Sequence, residues 1–389
     1  MPQEESRSDR RPLSTSPRPQ TPRSQATHSS RQGSPIPSDR PRVSIGGTDC
    51  SACLAALVIE TISGAVASCR LFLTTTDPGG PGLPGPGDPV DFGRKVTVAM
   101  QPASAPSSRP SELPSPIFEG TVYGVGLGRQ ADAAPSVEVS AFDALRPLAM
   151  VRRSRVLEHQ TVADVMRLTA SDHGLMAEVV LEAPVRETIV QADRTDLAFL
   201  QELSAESDAD FWVEGGIFRS VARSAPPLRR VSLDFASDLQ ECRFFADLSG
   251  QREATEVGGW DVQGKSRIRA RSRGDSTVSS REVSGPAFLE RVWPSAPRAS
   301  EPLPFPGEGT ESGASSLAEA LAYQRARGFA GLRAAIRGDP RIRPGTAVGV
   351  RGAGARFDGI YRVRMARHTF DSFGGYRTEF EANHGGVGR

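Results

Sequence analysis

Any chemistry performed by this chain has to come from a few short groups of residues. Cys50-Ser51-Ala52-Cys53 has the spacing of a redox pair or half a zinc site, but Cys69 and Cys242 stand alone. No histidine lies near enough in sequence to complete a tetrahedral set, so the pair reads as small apolar residues leading into a strand. Tyr123-Gly124-Val125-Gly126-Leu127-Gly128 looks like a nucleotide loop, yet Arg129 to Pro135 does not open a helix whose amides could meet a phosphate. The five histidines, His28, His159, His173, His368 and His384, share no metal-ligand spacing, and G-x-S-x-G is absent. No catalytic residue, metal site or cofactor is therefore expected. An enzyme would require pairs that meet only in the fold.

The remaining chemistry is charge. Lys265, Arg267, Arg269, Arg271 and Arg273 alternate, so in an extended segment all five cations point one way. Such a stripe could face nucleic acid, an acidic cargo or an acidic neighbour. It could equally be a solvated edge that discourages stray strand pairing. Arg273-Gly274-Asp275 reads as a turn rather than an adhesion ligand.

The elements that must hold these groups are mostly strands. The 389 residues carry 47 Lys+Arg against 46 Asp+Glu, with 39 Gly, 31 Pro and 4 Cys. Near-neutrality argues against a protein built chiefly to coat nucleic acid, and four cysteines cannot staple a chain of this size. Residues 1–42 hold eight Arg and four acids among Pro and Ser, the composition of a disordered arm with no apolar stretch for a secretory signal. Ala52 to Phe72 is poor in charge but contains Glu60 and Arg70, so no membrane insertion is expected.

Alternating runs then predict a first β domain over 43–150, interrupted by Pro/Gly-rich stretches at 77–89 and 101–116. A helix-strand insert follows over 151–235. Thr161 and Thr195 cap its two amphipathic helices, and Glu214-Gly215-Gly216 turns a hairpin after Phe211-Trp212-Val213. Leu197, Phe199, Leu200, Leu203, Phe211 and Trp212 are its expected core. A second β domain occupies 236–385, with an inserted helix over 315–338 weakened by Gly328 and Gly331.

One internal echo stands out. Phe118-Glu119-Gly120 opens a strand that is followed by Val137-Glu138-Val139, and Phe357-Asp358-Gly359 opens one followed by Tyr376-Arg377-Thr378, with the two copies 239 positions apart. Glycine at a bend followed by an alternating strand suits a small closing barrel, so the chain is read as two similar barrels.

These residues also carry a family resemblance. Phe118-x-Gly120, Asp143-Ala144-Leu145, the helix from Asp196 to Leu203 leading into Phe211 to Gly216, Val257-Gly258-Gly259-Trp260-Asp261, Gly345-x-x-Val348, and Arg356-Phe357-x-Gly359-x-Tyr361-x-Val363 ending at His368 together resemble the phage late control protein D family. That family is similar to the tail hub of contractile phages and the hub portion of VgrG spike proteins. The resemblance covers about residues 43–385. It implies a mainly β fold with inserted helices (α+β) and two related β-barrel domains like the contractile-tail hub.

The implied role is structural: a homotrimeric baseplate hub, assembled in the cytoplasm into a phage tail or tail-like injection particle, adapting a sixfold inner tube to a threefold spike. Phe118, Gly120, Val122, Phe357, Gly359, Tyr361 and Val363 are the corresponding barrel or interface elements it points to. Implied partners are the chain itself, an inner tube protein, a spike protein and other baseplate proteins. After Asn383-His384-Gly385 no oligonucleotide-fold module or β-helix follows, so a separate spike would dock. The alternatives are a nucleic-acid-binding β protein using the arm and the 263–273 stripe, and a cell-wall hydrolase.

Overall fold

The computed structural model describes residues 40–75, 88–102, 116–129, 135–261, 264–274, 278–294, 300–304 and 310–389. The arm before Arg40, most of 77–89 and 101–116, and Asp275 of the expected turn lie outside the described residues.

In chain order, a first half contains β1 (Arg42–Ile45), β2 (Thr48–Asp49), β3 (Leu54–Ile62), β4 (Ser68–Thr74), β5 (Lys95–Ala99), β6 (Pro116–Gly128) and β7 (Ser136–Phe142). The insert comprises β8 (Arg152–Gln160), α1 (Val162–Asp172), β9 (Met176–Val180), β10 (Arg186–Thr195), α2 (Asp196–Glu206), β11 (Ala209–Glu214) and β12 (Ile217–Ala222). The second half begins with β13 (Arg230–Asp234) and β14 (Leu239–Ala246). An excursion follows, made of β15 (Ala254–Asp261), β16 (Ser266–Ser272), β17 (Glu282–Ser284), α3 (Gly285–Val292), β18 (Ser300–Pro304) and α4 (Glu311–Arg327). The half resumes with β19 (Ala330–Arg337), β20 (Ala347–Arg351), β21 (Gly359–Asp371), β22 (Gly375–His384) and β23 (Gly386–Gly388).

Both halves join one curled sheet and repeat the same strand order. The first half runs β3-β4-β7-β6-β5-β1 and the second β14-β19-β22-β21-β20-β13, with β3 hydrogen-bonded to β21 where they meet. The correspondence extends to single residues. A register shift falls after Val122 in the β6–β7 ladder and after Val363 in the β21–β22 ladder, where Ala141 and Ala382 are the respective partners. Another falls after Leu54 against β4 and after Leu239 against β19. Gly93 donates to the Val122 carbonyl at 2.9 Å and Gly345 to the Val363 carbonyl at 2.9 Å, both glycines at positive φ.

Alternation explains the curl. Val43, Ile45, Cys69, Leu71, Leu73, Val96, Val98, Val122, Val139 and Ala141 close one core, while Val231, Leu233, Leu332, Ala334, Ile336, Val348, Val350, Val363, Phe380 and Ala382 close the other. Period-two burial puts these side chains on the same face of every strand. The halves differ in one pairing, since β1 runs antiparallel to β5 whereas β13 runs parallel to β20. The β6–β7 and β21–β22 tips lie at one end of the sheet, and the β3–β4 turn and the excursion between β14 and β19 lie at the other, as the antiparallel ladders require.

The strand-to-strand alignment is 241 positions in this hairpin, from Val122 to Val363 and Ala141 to Ala382, not the 239 of the sequence echo. A slip of two residues keeps every side chain on its face, which is why the echo found the right strands in the wrong register.

The helices begin as their caps dictate. Thr161 and Asp164 form a reciprocal capping box on α1, and Thr195 caps α2. The core of the insert includes Leu197, Phe199, Leu200, Leu203 and Phe211; Trp212 is only half-buried, against Gly345. Gly215 and Gly216, both at positive φ, turn β11 into β12.

The expected helix over 315–338 is corrected. It stops at Arg327, and Ala330–Arg337 is a strand between β14 and β22. Its Ala-rich sequence favours a helix, but the chance to bury both faces of a central strand outweighs propensity. α4 instead covers the β15–β16–β18 sheet with Ala314, Leu317 and Ala318.

Candidate functional site

The described residues bring no group of three or more His, Cys, Asp or Glu together as metal ligands. Cys53 Sγ lies 3.1 Å from the Cys50 carbonyl in the first core, where burial pushes the Cys50 thiol up to about 11. The Tyr123–Gly128 run is the outer part of strand β6 and lies opposite Ser140, Glu138 and Ser136 through its glycines.

Surfaces and junctions are what the fold offers instead. At the β3–β21 junction Met365 faces Ile62, Arg367 faces Glu60, His368 faces Ile59 and Phe370 faces Leu57. Arg367 and Glu60 also form an ion pair at 3.3 Å, and Thr61 donates to the Ala366 carbonyl at 3.3 Å. Besides the outer edges of β2 and β13, two further edges of the same sheet have no strand partner among the described residues. One is the outer edge of β14, and the other is the stretch of β6 beyond Val122 on the side facing away from β7, since β5 ends its pairing at Thr121.

Four of the seven candidate repeat residues are buried, while Gly120, Phe357 and Gly359 are half-buried. Phe118 and Val122 are buried on β6, and Tyr361 and Val363 on β21. Tyr361 donates its hydroxyl to the Phe357 carbonyl at 2.9 Å and packs against Phe244 and His384. A Cβ on Gly120 would come within 2.4 Å of the Phe142 carbonyl and 2.6 Å of the Phe118 ring; one on Gly359 would meet Glu282 at 3.3 Å. His384 beside Glu282 holds that carboxyl down at about 2.

The insert is fastened to the second half by largely buried ion pairs, and to the first by a hydrogen bond, that sequence reading missed. Asp210 accepts from Ser63 at 2.6 Å and Arg223 at 2.9 Å, with Arg362 3.6 Å away. Arg327 bonds Asp208, whose carboxyl burial pushes up. Glu214 binds Arg343 at 2.7 Å and also Arg229; burial opposes its charge, but these two arginines outweigh it and hold the carboxyl low. The signal available was Asp208-x-Asp210 running directly into Phe211-Trp212, because acids that enter an apolar strand must be paired.

His368 sits at the junction without charge. Burial holds its imidazole down at about 4. Nε2 donates to the Ile342 carbonyl at 3.0 Å, so Nδ1 accepts from Tyr376 at 2.8 Å and Thr378 at 3.1 Å. The unfolded imidazole titrates near 6.5, so the unfolded chain takes up a proton the folded one refuses. Stability from this group is full above about 6.5 and falls as pH drops toward 4. Asp143 acts oppositely, since burial holds its carboxyl up at about 7 and its contribution is lost as pH rises toward that value. In an Asp143→Asn chain, urea denaturation at pH 7.5 and pH 5 should therefore show a loss of about 2 kcal/mol on acidification, and adding His368→Gln should abolish it.

The basic stripe is extended, with Arg267, Arg269 and Arg271 on the open face of β16 and Ile268 and Ala270 beneath α4. Arg269 bonds Glu256 at 2.6 Å, Arg271 bonds Glu253 at 3.2 Å and Arg273 bonds Glu290 at 2.9 Å, while Lys265 lies in the turn before β16. Acids on neighbouring elements thus offset much of its charge.

Known proteins share this architecture. The 43 kDa tail protein of prophage MuSo2 from Shewanella oneidensis superposes with a TM-score of 0.63 at 13% identity, over 89% of this chain and 98% of that one. A tail protein from Neisseria meningitidis MC58 gives 0.62 at 11% identity, over 89% and 96%. An E. coli component of the type VI secretion system, itself described as structurally similar to T4 bacteriophage tail proteins, gives 0.55 at 13%, over 88% and 76%. The fold is therefore that of phage tail and VgrG-like hub proteins. In sequence, 97 residues are 31% identical to the type VI secretion spike protein VgrG4b of Pseudomonas aeruginosa, a match that spans 24% of this chain and 12% of that protein. No helix among the described residues is long and apolar enough to cross a membrane. The family model described as Alg8 N-terminal domain matches residues 111–372, from β6 through β21, and the chain belongs to the Alg8 N-terminal domain family.

Proposed function

We propose that this protein is a non-enzymatic hub of a contractile phage tail or related injection particle, of the kind the late control protein D resemblance implies. Three copies form a ring in which six similar sheet halves face a sixfold inner tube, while the ring as a whole presents threefold symmetry to a spike. Assembly takes place in the cytoplasm among other baseplate proteins, and the work is mechanical.

The observation that carries this reading is the repetition of six strands in one order within a single chain, joined side by side through β3 and β21. A duplicated half lets three chains offer six near-equivalent surfaces, which no unduplicated trimer can do. The likeness to tail proteins over 89% of the chain supports the same role. Light-scattering mass of the purified protein tests it: a species of three chains is expected, and a monomer at every concentration overturns the ring.

A further inference from the structure

Helix α4 covers one face of the β15–β16–β18 sheet, where Val257, Ile268 and Ala270 pack beneath it. The opposite face is exposed. There the register of β15 with its neighbours sets Trp260 opposite Arg267 and places Gly258 between Arg269 and Pro304. Trp260 is 58% exposed on this face, and Arg267, Arg269 and Pro304 are exposed beside it.

The cations of the stripe fall into two groups. Arg269, Arg271 and Arg273 are bonded to Glu256, Glu253 and Glu290, whereas Lys265 and Arg267 form no ion pair among the described residues. The unpaired end of the stripe is therefore the end that carries Trp260. Depth favours the cations further along as well. The side chain of Arg269 is 67% exposed and that of its partner Glu256 only 12%, so an approaching group meets guanidinium before carboxylate.

Nothing inside the chain calls for glycine at position 258. It lies within the central strand of this sheet, its φ is not positive, and a Cβ there would meet nothing nearer than the Ile268 carbonyl at 3.9 Å. Glycine weakens a strand interior and often marks the place where another backbone comes close. Its missing side chain leaves a trough walled by Arg269 and Pro304, with the Trp260 indole two residues, about 7 Å, farther along the strand.

We propose that this open face binds an extended acidic segment of another protein, which lies over Gly258, sets an apolar or aromatic side chain against Trp260 and a carboxylate on Arg267. Tryptophan and arginine are the side chains that most often anchor interfaces, the first through its buried area and the second through paired bonds to carboxylate. Nucleic acid is the poorer fit. Its unbroken phosphate chain would run across Glu253, Glu256 and Glu290, while the carboxylates of a peptide can be spaced to meet only the free cations.

Fluorescence anisotropy of a labelled Glu-Thr-Phe-Thr-Glu peptide added to the full chain tests this, because in extended form its two carboxylates flank the ring on one side. Binding is expected, and Trp260→Ala, Arg267→Glu and Gly258→Val should each weaken it about tenfold or more at an unchanged melting temperature. Arg271→Gln, in the paired part of the stripe, should change it by less than about threefold. A Gln-Thr-Phe-Thr-Gln peptide should bind about tenfold more weakly than the acidic one. Absence of binding at millimolar peptide overturns the proposal, as does binding that Trp260→Ala and Arg267→Glu leave intact. Tighter, Trp260-dependent binding of a thymidine oligonucleotide overturns it in favour of nucleic acid.

Discussion

Asp210→Ala should destabilise the protein by about 3–5 kcal/mol, read as a fall in the urea midpoint, and should raise the protease sensitivity of the insert. Asp210 is 4% exposed, and its carboxylate gathers Ser63 from the β3–β4 turn, Arg223 from the end of the insert and Arg362 from β21. Removing it leaves two largely buried guanidinium groups with only Asp208, already bonded to Arg327, as a nearby counter-charge. Their desolvation has already been incurred in folding, so the loss exceeds the worth of any single hydrogen bond. Asp210→Asn keeps the shape and should cost nearly as much, because the charge is what the arginines require. By contrast, breaking the exposed Arg152–Asp193 pair should change stability by less than about 1 kcal/mol. Equal effects at the two sites would show that the insert is not held by its buried charges.

Tyr361→Ala should cost about 3–5 kcal/mol in the same assay, while Gly120→Ala, which only adds a methyl group, should cost about 1–3 kcal/mol. The two positions are equivalent between the halves, yet they are filled in opposite ways. In the second half Tyr361 fills the core and Gly359, two residues earlier, faces Glu282 and His384; in the first half Phe118 at the earlier position folds its ring over Gly120. Each half therefore holds one aromatic ring and one glycine, with their order exchanged. Truncating Tyr361 opens a cavity with no neighbour to fill it, whereas a methyl on Gly120 meets the Phe142 carbonyl, a backbone group that cannot rotate away. If Gly120→Ala were neutral, the two packing solutions would not be as tightly fixed as their contacts imply.

That exchange also explains how much the sequence could reveal. Aromatic-x-Gly at Phe118 and at Phe357 attracts the eye, and both stretches do open equivalent strands. The motif nonetheless marks different places in the two cores, because volume is conserved across a pair of positions rather than at each one. Local signals were legible where local physics decides: the Thr161 and Thr195 caps, the Gly215-Gly216 turn, and the alternation of Val137 to Ala141. Ala330 to Arg337 was not, since only distant neighbours, β14 and β22, make a strand of it. Nor were the strands β9, of five residues, and β10, of ten, which owe their pairing to β12 and β8 across intervening helices. The open edges were illegible in principle, because an edge is defined by which strands fail to meet it.

The uneven lengths of corresponding hairpins give the molecule a polarity. At one end of the sheet three residues, Ser372 to Gly374, separate β21 from β22 and seven, 129–135, separate β6 from β7, so the two lobes differ there by only four residues. At the opposite end Ser63 to Ala67 suffices between β3 and β4, while between β14 and β19 the chain detours through four strands and two helices. Arranged around a common axis, such subunits would present a plain rim whose six teeth match and a second rim where every other tooth is crowned. A cylinder with sixfold repetition can seat only on the plain rim, and the crowned one is left to select whatever carries threefold symmetry. Direction of assembly would thus be written into loop length, before any side chain makes contact.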